Sequence, residues 1–243
     1  MGQFRTGAVT HAGTLRKHNE DALVNRPDLG LWAVADGAGG HEAGEVASGL
    51  IARALDSIPP ELSAEEMLTQ VRTRMAATHQ ALRKRMSRSG RGMVASTVVV
   101  LIVRQGHYAC LWAGDSRAYL LREGTIAQIT RDHSLVQELV DGGQITDAEA
   151  EDHPRANIIT RAVGAEPELI GLDKVTDRLA DGDRFLLCSD GLSKVLSGPE
   201  ILEILRVDGP ELVAERLVAA ALARQARDNV TAVVLEVAGD GSV

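Results

Sequence analysis

The chain has 243 residues, 44% of them hydrophobic and 25% charged, enough to bury one substantial core and far from the profile of a disordered or low-complexity protein. A formal net charge of −8, with only two each of Trp, Tyr and Phe, argues against a nucleic-acid partner, which needs Lys and Arg for its phosphates and rings for its bases. No basic-then-apolar leader opens the sequence, the run MVASTVVVLIV is too short to cross a bilayer, and Cys110 and Cys188 read as buried free thiols, so a cytoplasmic protein without membrane insertion is expected.

RKHNEDA, at 16–22, packs a cation beside two acids and by itself reads as a polar loop. LWAVAD reads as a buried strand that runs out at Asp36 into the glycines of DGAGG. Over 42–57, Val46, Leu50, Ala54 and Leu55 fall on one helical face. SAEE, from Ser63, is a capping box that opens a second helix, with Met67, Val71, Met75, Leu82 and Met86 facing the core. Its basic continuation RKRMSRSGR, at 83–91, reads as a solvated helix end. VASTVVVLIV, HYACLWAGD, RAYLL and TIAQI follow as strands, and the short breaks between them predict an antiparallel meander. Short helices are predicted around 134–141, stopped by Gly142 and Gly143, and after Thr146, where TDAE is another capping box. An irregular polar stretch leads to the strand RFLLCSD. Pro199 and Pro210 then mark the first turns of two helices, and NVTAVVLEV is the closing strand. Strands and helices come in blocks, without a linker or repeat, which favours a single α+β domain over 1–243.

Asp36, Asp115 and Asp190 stand at strand ends and Asp228 immediately before a strand. One such Asp is ordinary turn chemistry. Four of them converge when sheets pack, and converging carboxylates repel unless they are protonated or a cation lies among them. Oxygen-only ligands select Mg²⁺ or Mn²⁺, and a glycine after Asp36 lets a carbonyl come close enough to join them. Zinc is disfavoured, because the seven histidines are scattered and no cysteine pair has ligand spacing.

Taken together, R-x-x-NED at Arg16–Asp21, DGAGG at Asp36–Gly40, GDSR at Gly114–Arg117, SDG at Ser189–Gly191 and DNVT at Asp228–Thr231 resemble, in family order, the metal-dependent Ser/Thr protein phosphatases of the PP2C or PPM family. TRDHS at 130–134 and HPRANIITRAVG at 153–164 are similar to a compact stand-alone bacterial member. The resemblance implies a four-layer αββα sandwich of two antiparallel sheets flanked by helices, with a flap at about 133–170 bordering the cleft.

It also implies two Mn²⁺ or Mg²⁺ ions: Asp36 bridging them, Asp190 and Asp228 on one, Glu20 and the Gly37 carbonyl facing the other, and Asp21 and Asn229 behind, orienting waters and ligands. Bacterial relatives can hold a third ion, for which Asp115 with Asp190 is the matching pair. Arg16 would clamp the substrate phosphate, its alternative being a surface salt bridge with Glu20 or Asp21. Water activated between the ions would attack phosphorus without a covalent phosphoenzyme. Many eukaryotic members have a histidine where Ala38 stands here, which leaves water or His41 as the proton donor to the leaving group.

The implied function is hydrolysis of phosphoserine and phosphothreonine in proteins, by a monomer opposing a cognate eukaryotic-type Ser/Thr kinase, with control of type VI secretion one known setting. The alternatives are a catalytically silent phosphoprotein-binding module and a metal-dependent phosphodiesterase. A thiol phosphatase would need Arg where Ser116 stands, and the D-x-D-x-T signature of aspartyl-phosphate enzymes is absent.

Overall fold

Strands covered on both faces read as unbroken apolar runs, and the central strands of this protein do so because each has a second sheet on one side and helices on the other. The computed structural model describes residues 4–39, 43–89, 93–165, 169–207 and 209–238. One sheet has the order β1 (Phe4–His11), β11 (Val230–Val237), β10 (Arg184–Cys188), β7 (Arg117–Arg122), β8 (Thr125–Gln128). The other runs β2 (Asp21–Arg26), β3 (Leu31–Gly39), β5 (Val98–Arg104), β6 (His107–Ala113), β9 (Asp173–Arg178), with β4 (Val94–Ser96) pairing the end of β3. Every pair is antiparallel.

The two-residue period of a strand sorts the apolar side chains into three layers. Trp32 and Val34 of β3, Val99 and Leu101 of β5, Phe185 and Leu187 of β10, and Val233 and Leu235 of β11 fill the space between the sheets. Their neighbours Leu31, Ala33, Val98 and Val100 face α1 (Ala43–Asp56) and α2 (Ala64–Ser89). On the opposite side Leu186, Ala232 and Val234 face α6 (Gly198–Leu205) and α7 (Pro210–Ala223). The result is the expected four-layer αββα sandwich. Among the described residues no helix is long and apolar enough to cross a membrane.

Both capping boxes form: Glu66 N–H donates to Ser63 Oγ and Ser63 N–H to Glu66 Oε2 at the start of α2, and Thr146 with Glu149 does the same for α4 (Asp147–Glu151). The short helix α3 (Leu135–Asp141) also lies where it was expected. Other expectations need correcting. Of the face expected for α1, Leu55 is buried, but Val46, Leu50 and Ala54 are only partly so, and the buried face is rotated to Gly44, Ala47, Ser48, Ile51 and Leu55. β3 does not run out at Asp36; it continues to Gly39 by pairing Gly37 with Ser96 and Gly39 with Val94. Three strands had no clear sequence signal: β1 and β2, half-exposed along much of their length, and β9, whose residues DKVTDR are all exposed on the sheet edge. His41 lies outside the described residues, as do Gly40 and the end of the basic run at 90–91.

Candidate active site

The antiparallel register of β2 and β3 sets Asp21 directly opposite Asp36, two like charges side by side at one end of the sandwich. Backbone bonds hold Asp36 there: its N–H donates to Thr97 Oγ1 at 3.1 Å and its carbonyl accepts from Thr97 N–H at 2.9 Å. Gly37 follows because nothing larger fits, a Cβ at that position meeting Gly44 O at 2.1 Å and Glu20 O at 2.6 Å. The start of α1 thereby closes on the loop before β2. A single point beside Gly44 lies 2.6 Å from Glu20 Oε1 and 2.7 Å from the Gly37 carbonyl oxygen, so these two acceptors share one corner of the cleft.

The second sheet supplies the remaining acids. Asp190 opens the short helix α5 (Asp190–Ser193), two residues beyond β10, and Asp228 stands two residues before β11. Gly191 lets these strand ends approach, since a Cβ there would sit 2.0 Å from Asn229 O. Asp115 lies in the turn between β6 and β7, 3% exposed, beside the Thr97–Ser116 hydroxyl pair at 2.7 Å. Asn229 ties the approach loop to this sheet: its Oδ1 accepts from Glu20 N–H at 2.8 Å, and its Nδ2 donates to the carbonyls of Ala12 and His18, each at 3.0 Å. Asp21 is held from the other side, its Oδ2 accepting from Thr231 Oγ1 at 2.6 Å and Ser189 Oγ at 2.8 Å.

The consequence is crowded negative charge. Burial raises Asp21 to about 7, despite the hydroxyls of Thr231 and Ser189, with Asp190 and Asp228 adding to the rise. Burial followed by Asp190 raises Asp115 to about 7, Lys194 opposing. Asp36, open to the cleft on one side only, is pushed well up by burial and then by Asp21, Asp190, Asp115 and Asp228. One oxygen each of Asp21, Asp115 and Asp190 is buried without a hydrogen-bond partner. Such orphaned oxygens are costly unless a cation takes them.

Among the described residues, no three His, Cys, Asp or Glu side chains are drawn together as the ligands of one ion would be. Two cations of the chain engage the acids instead. Arg16 donates from Nη2 to Asp228 Oδ2 at 2.8 Å, so its ion pair is with neither Glu20 nor Asp21. Lys194 reaches Asp190 Oδ2 at 2.5 Å and Asp115 Oδ2 at 3.6 Å; burial opposes its charge, but the two acids outweigh burial and hold it above the usual lysine range. Sequence reasoning missed Lys194, although its spacing of four from Asp190 on one helical turn was a readable signal. Cys110 and Cys188 are buried and free, and burial pushes the Cys188 thiol up to about 12, so neither is poised as a nucleophile.

The segment from His133 to Val163 is fastened beside this cleft at both ends: His133 N–H donates to Gly114 O at 2.9 Å, Gly114 N–H to His133 Nδ1 at 3.1 Å, and Val163 exchanges backbone bonds with Ser96. The stretch between these anchors, including Asn157 and Ile158, is largely exposed.

Comparison with known proteins agrees with this arrangement. The family model described as Protein phosphatase 2C matches residues 5–139. The serine/threonine protein phosphatase PstP of Mycobacterium tuberculosis is 39% identical over 238 residues, covering 96% of this chain and 45% of that protein, so the chain spans about half the length of this curated relative. Among solved structures, PppA of Pseudomonas aeruginosa, described as a key regulatory component of T6SS, superposes with a TM-score of 0.89 at 42% identity over 96% of each chain. The catalytic domain of PstP, solved in complex with two manganese ions, does so with a TM-score of 0.84 at 35% identity, over 97% of this chain and 99% of that one. With two antiparallel sheets bringing the five sequence blocks to one acidic cleft, this chain belongs to the protein phosphatase 2C family.

Proposed function

We propose that this protein is a metal-dependent protein serine/threonine phosphatase. One observation carries the reading: buried, unpartnered carboxylate oxygens of Asp21, Asp115 and Asp190 crowd the cleft that they share with Asp36 and Asp228. The all-oxygen donor set suits Mn²⁺ or Mg²⁺. Asp36 would stand between two ions, Asp190 and Asp228 on one of them, and Glu20 with the Gly37 carbonyl beside the other. Asp21 and Asn229 position these ligands through the hydrogen bonds described above. Bound there, the ions would lower the pKa of an attacking water and offset the charge building on the phosphoryl oxygens.

The chain's own groups do the rest. Arg16, with its side chain 52% exposed at the mouth, can turn its guanidinium from Asp228 onto a phosphate and hold two of its oxygens at once. Among the described residues neither cysteine is placed to attack phosphorus, which fits direct attack by water. Ala38 offers no proton, so water or His41 supplies the one that the leaving oxygen takes. The segment at about 133–170 acts as the flap of a single domain and admits the phosphorylated segment of a partner protein.

Substrates in this reading are phosphoserine and phosphothreonine proteins made by a eukaryotic-type Ser/Thr kinase, met by a cytoplasmic monomer. PppA, as a component of T6SS regulation, puts type VI secretion first among the settings. The test is hydrolysis of a phosphothreonine peptide with Mn²⁺. Turnover should vanish on chelation and in Asp36→Asn, and single-stranded DNA should be left intact. Turnover that survives chelation, peptide binding without hydrolysis, or cleavage of the DNA in place of the peptide would each overturn the reading.

A further inference from the structure

Lys194 enters the cleft from the first turn after β10 and makes three polar contacts with one nitrogen. Its Nζ lies 2.5 Å from Asp190 Oδ2 and 3.6 Å from Asp115 Oδ2, and it donates to Asn157 Oδ1 at 2.8 Å. Asn157 belongs to the exposed stretch between α4 and β9, so a single ammonium joins two acids of the cleft floor to the segment bordering it. The placement is built into the backbone: Lys194 stands one helical turn after Asp190, and its N–H closes on Asp190 O at 2.8 Å. Asp115 is equally fixed, in a turn pinned by the Thr97–Ser116 hydroxyl pair.

Asp115 and Asp190 are the pair that the resemblance assigns to a third ion. Here that pair already faces a fixed positive charge, and a divalent ion on the same two carboxylates would meet the ammonium at ion-pair distance. Charge balance points the same way. With all six acids ionised, as bound ions would make them, Glu20, Asp21, Asp36, Asp115, Asp190 and Asp228 set against Arg16 and Lys194 leave four negative charges, the number two divalent ions cancel.

We propose that Lys194 is the third cation of this cleft: it holds the Asp115–Asp190 pair and pins the flap to it through Asn157, so the cleft takes two divalent ions and no third. The proposal rests on the two-ion reading above and adds to it a latch made by the chain itself.

Calorimetric titration of the metal-free full chain with Mn²⁺ counts the ions, and hydrogen exchange over 153–160 reads the latch. Wild type should take up two ions. Lys194→Ala, and Lys194→Met, which keeps most of the side-chain bulk, should take up three and exchange faster over 153–160. Asn157→Ala, on the surface, should keep two ions yet show the same faster exchange. Three ions on wild type, or two on both folded Lys194 variants with unchanged exchange, overturns the proposal and leaves the metal-dependent reading standing. No Mn²⁺ uptake by wild type overturns both.

Discussion

Asn229 shows how much of a cleft is made by residues that need never touch the substrate. With three hydrogen bonds it clamps the loop carrying Arg16 and Glu20 to the strand end carrying Asp228, so the two sheets cannot part at this edge. Asn229→Ala should raise the Mn²⁺ concentration for half-maximal turnover by about 10–100-fold, with turnover recovering at saturating ion. A metal titration checks this; an unchanged midpoint would show that the loop is held by other contacts. The acids themselves were legible in the sequence because an Asp at the end of an apolar run stands out. Lys194 carried a weaker signal, its spacing of four from Asp190, which gains its meaning once Asp115, far away in the chain, is folded against it. The alternative to a phosphate clamp for Arg16, an ion pair with Glu20 or Asp21, rested on nearness in sequence, whereas folding brings Asp228 across from the other sheet.

Helices were read well where their ends carry chemistry, and strands where both faces are covered. β5 and β11 announce themselves as unbroken apolar runs, because alternate residues serve two different layers of the core. β9 was invisible because an edge strand exposed along its length carries no burial pattern, and only pairing with β6 makes it a strand. The rotation of α1 came from small residues, Gly44, Ala47 and Ser48, which let the helix lie close on the sheet, the Ser48 hydroxyl donating to the Glu45 carbonyl. The two capping boxes separate local from global stability. Ser63 caps a helix whose Met67, Val71, Met75 and Leu82 are fully buried, whereas Thr146 caps α4, which buries no residue. Ser63→Ala should therefore cost about 1 kcal/mol and lower the melting temperature by about 2–4 °C. Thr146→Ala should lose the same cap yet leave the melting temperature unchanged. Equal drops in the two variants would mean that α4 unfolds together with the sandwich.

On the scale of the whole molecule, the fold gathers at one end of the sheets groups that repel, and this sets how stability varies with pH. Asp21 and Asp115 are each raised to about 7 by burial and by neighbouring carboxylates, and Asp36 is raised further in the same direction. An Asp with a raised folded value keeps its proton in the folded state after the unfolded chain has released it. Stability is then whole below the unfolded value of about 3.8 and is lost as pH rises toward the folded value. The carboxylates shifted the opposite way, Asp28 beside Arg26, Asp173, which His133 and Arg161 hold low despite its partial burial, and the capping Glu66, Glu149 and Glu200, titrate in the acid range and are already ionised above about pH 5. Between pH 5.5 and 8 the cleft acids therefore dominate, and the melting temperature of the protein in chelator should fall across that window. Mn²⁺ takes up the ionised form, so it should stabilise more at pH 8 than at pH 5.5 and release protons on binding. Thermal melts with chelator and with Mn²⁺ at both pH values test this directly. A melting temperature in chelator that holds level or rises from pH 5.5 to 8 would mean that these carboxylates relieve one another by moving apart, and that the cleft is drawn together only after the ions arrive.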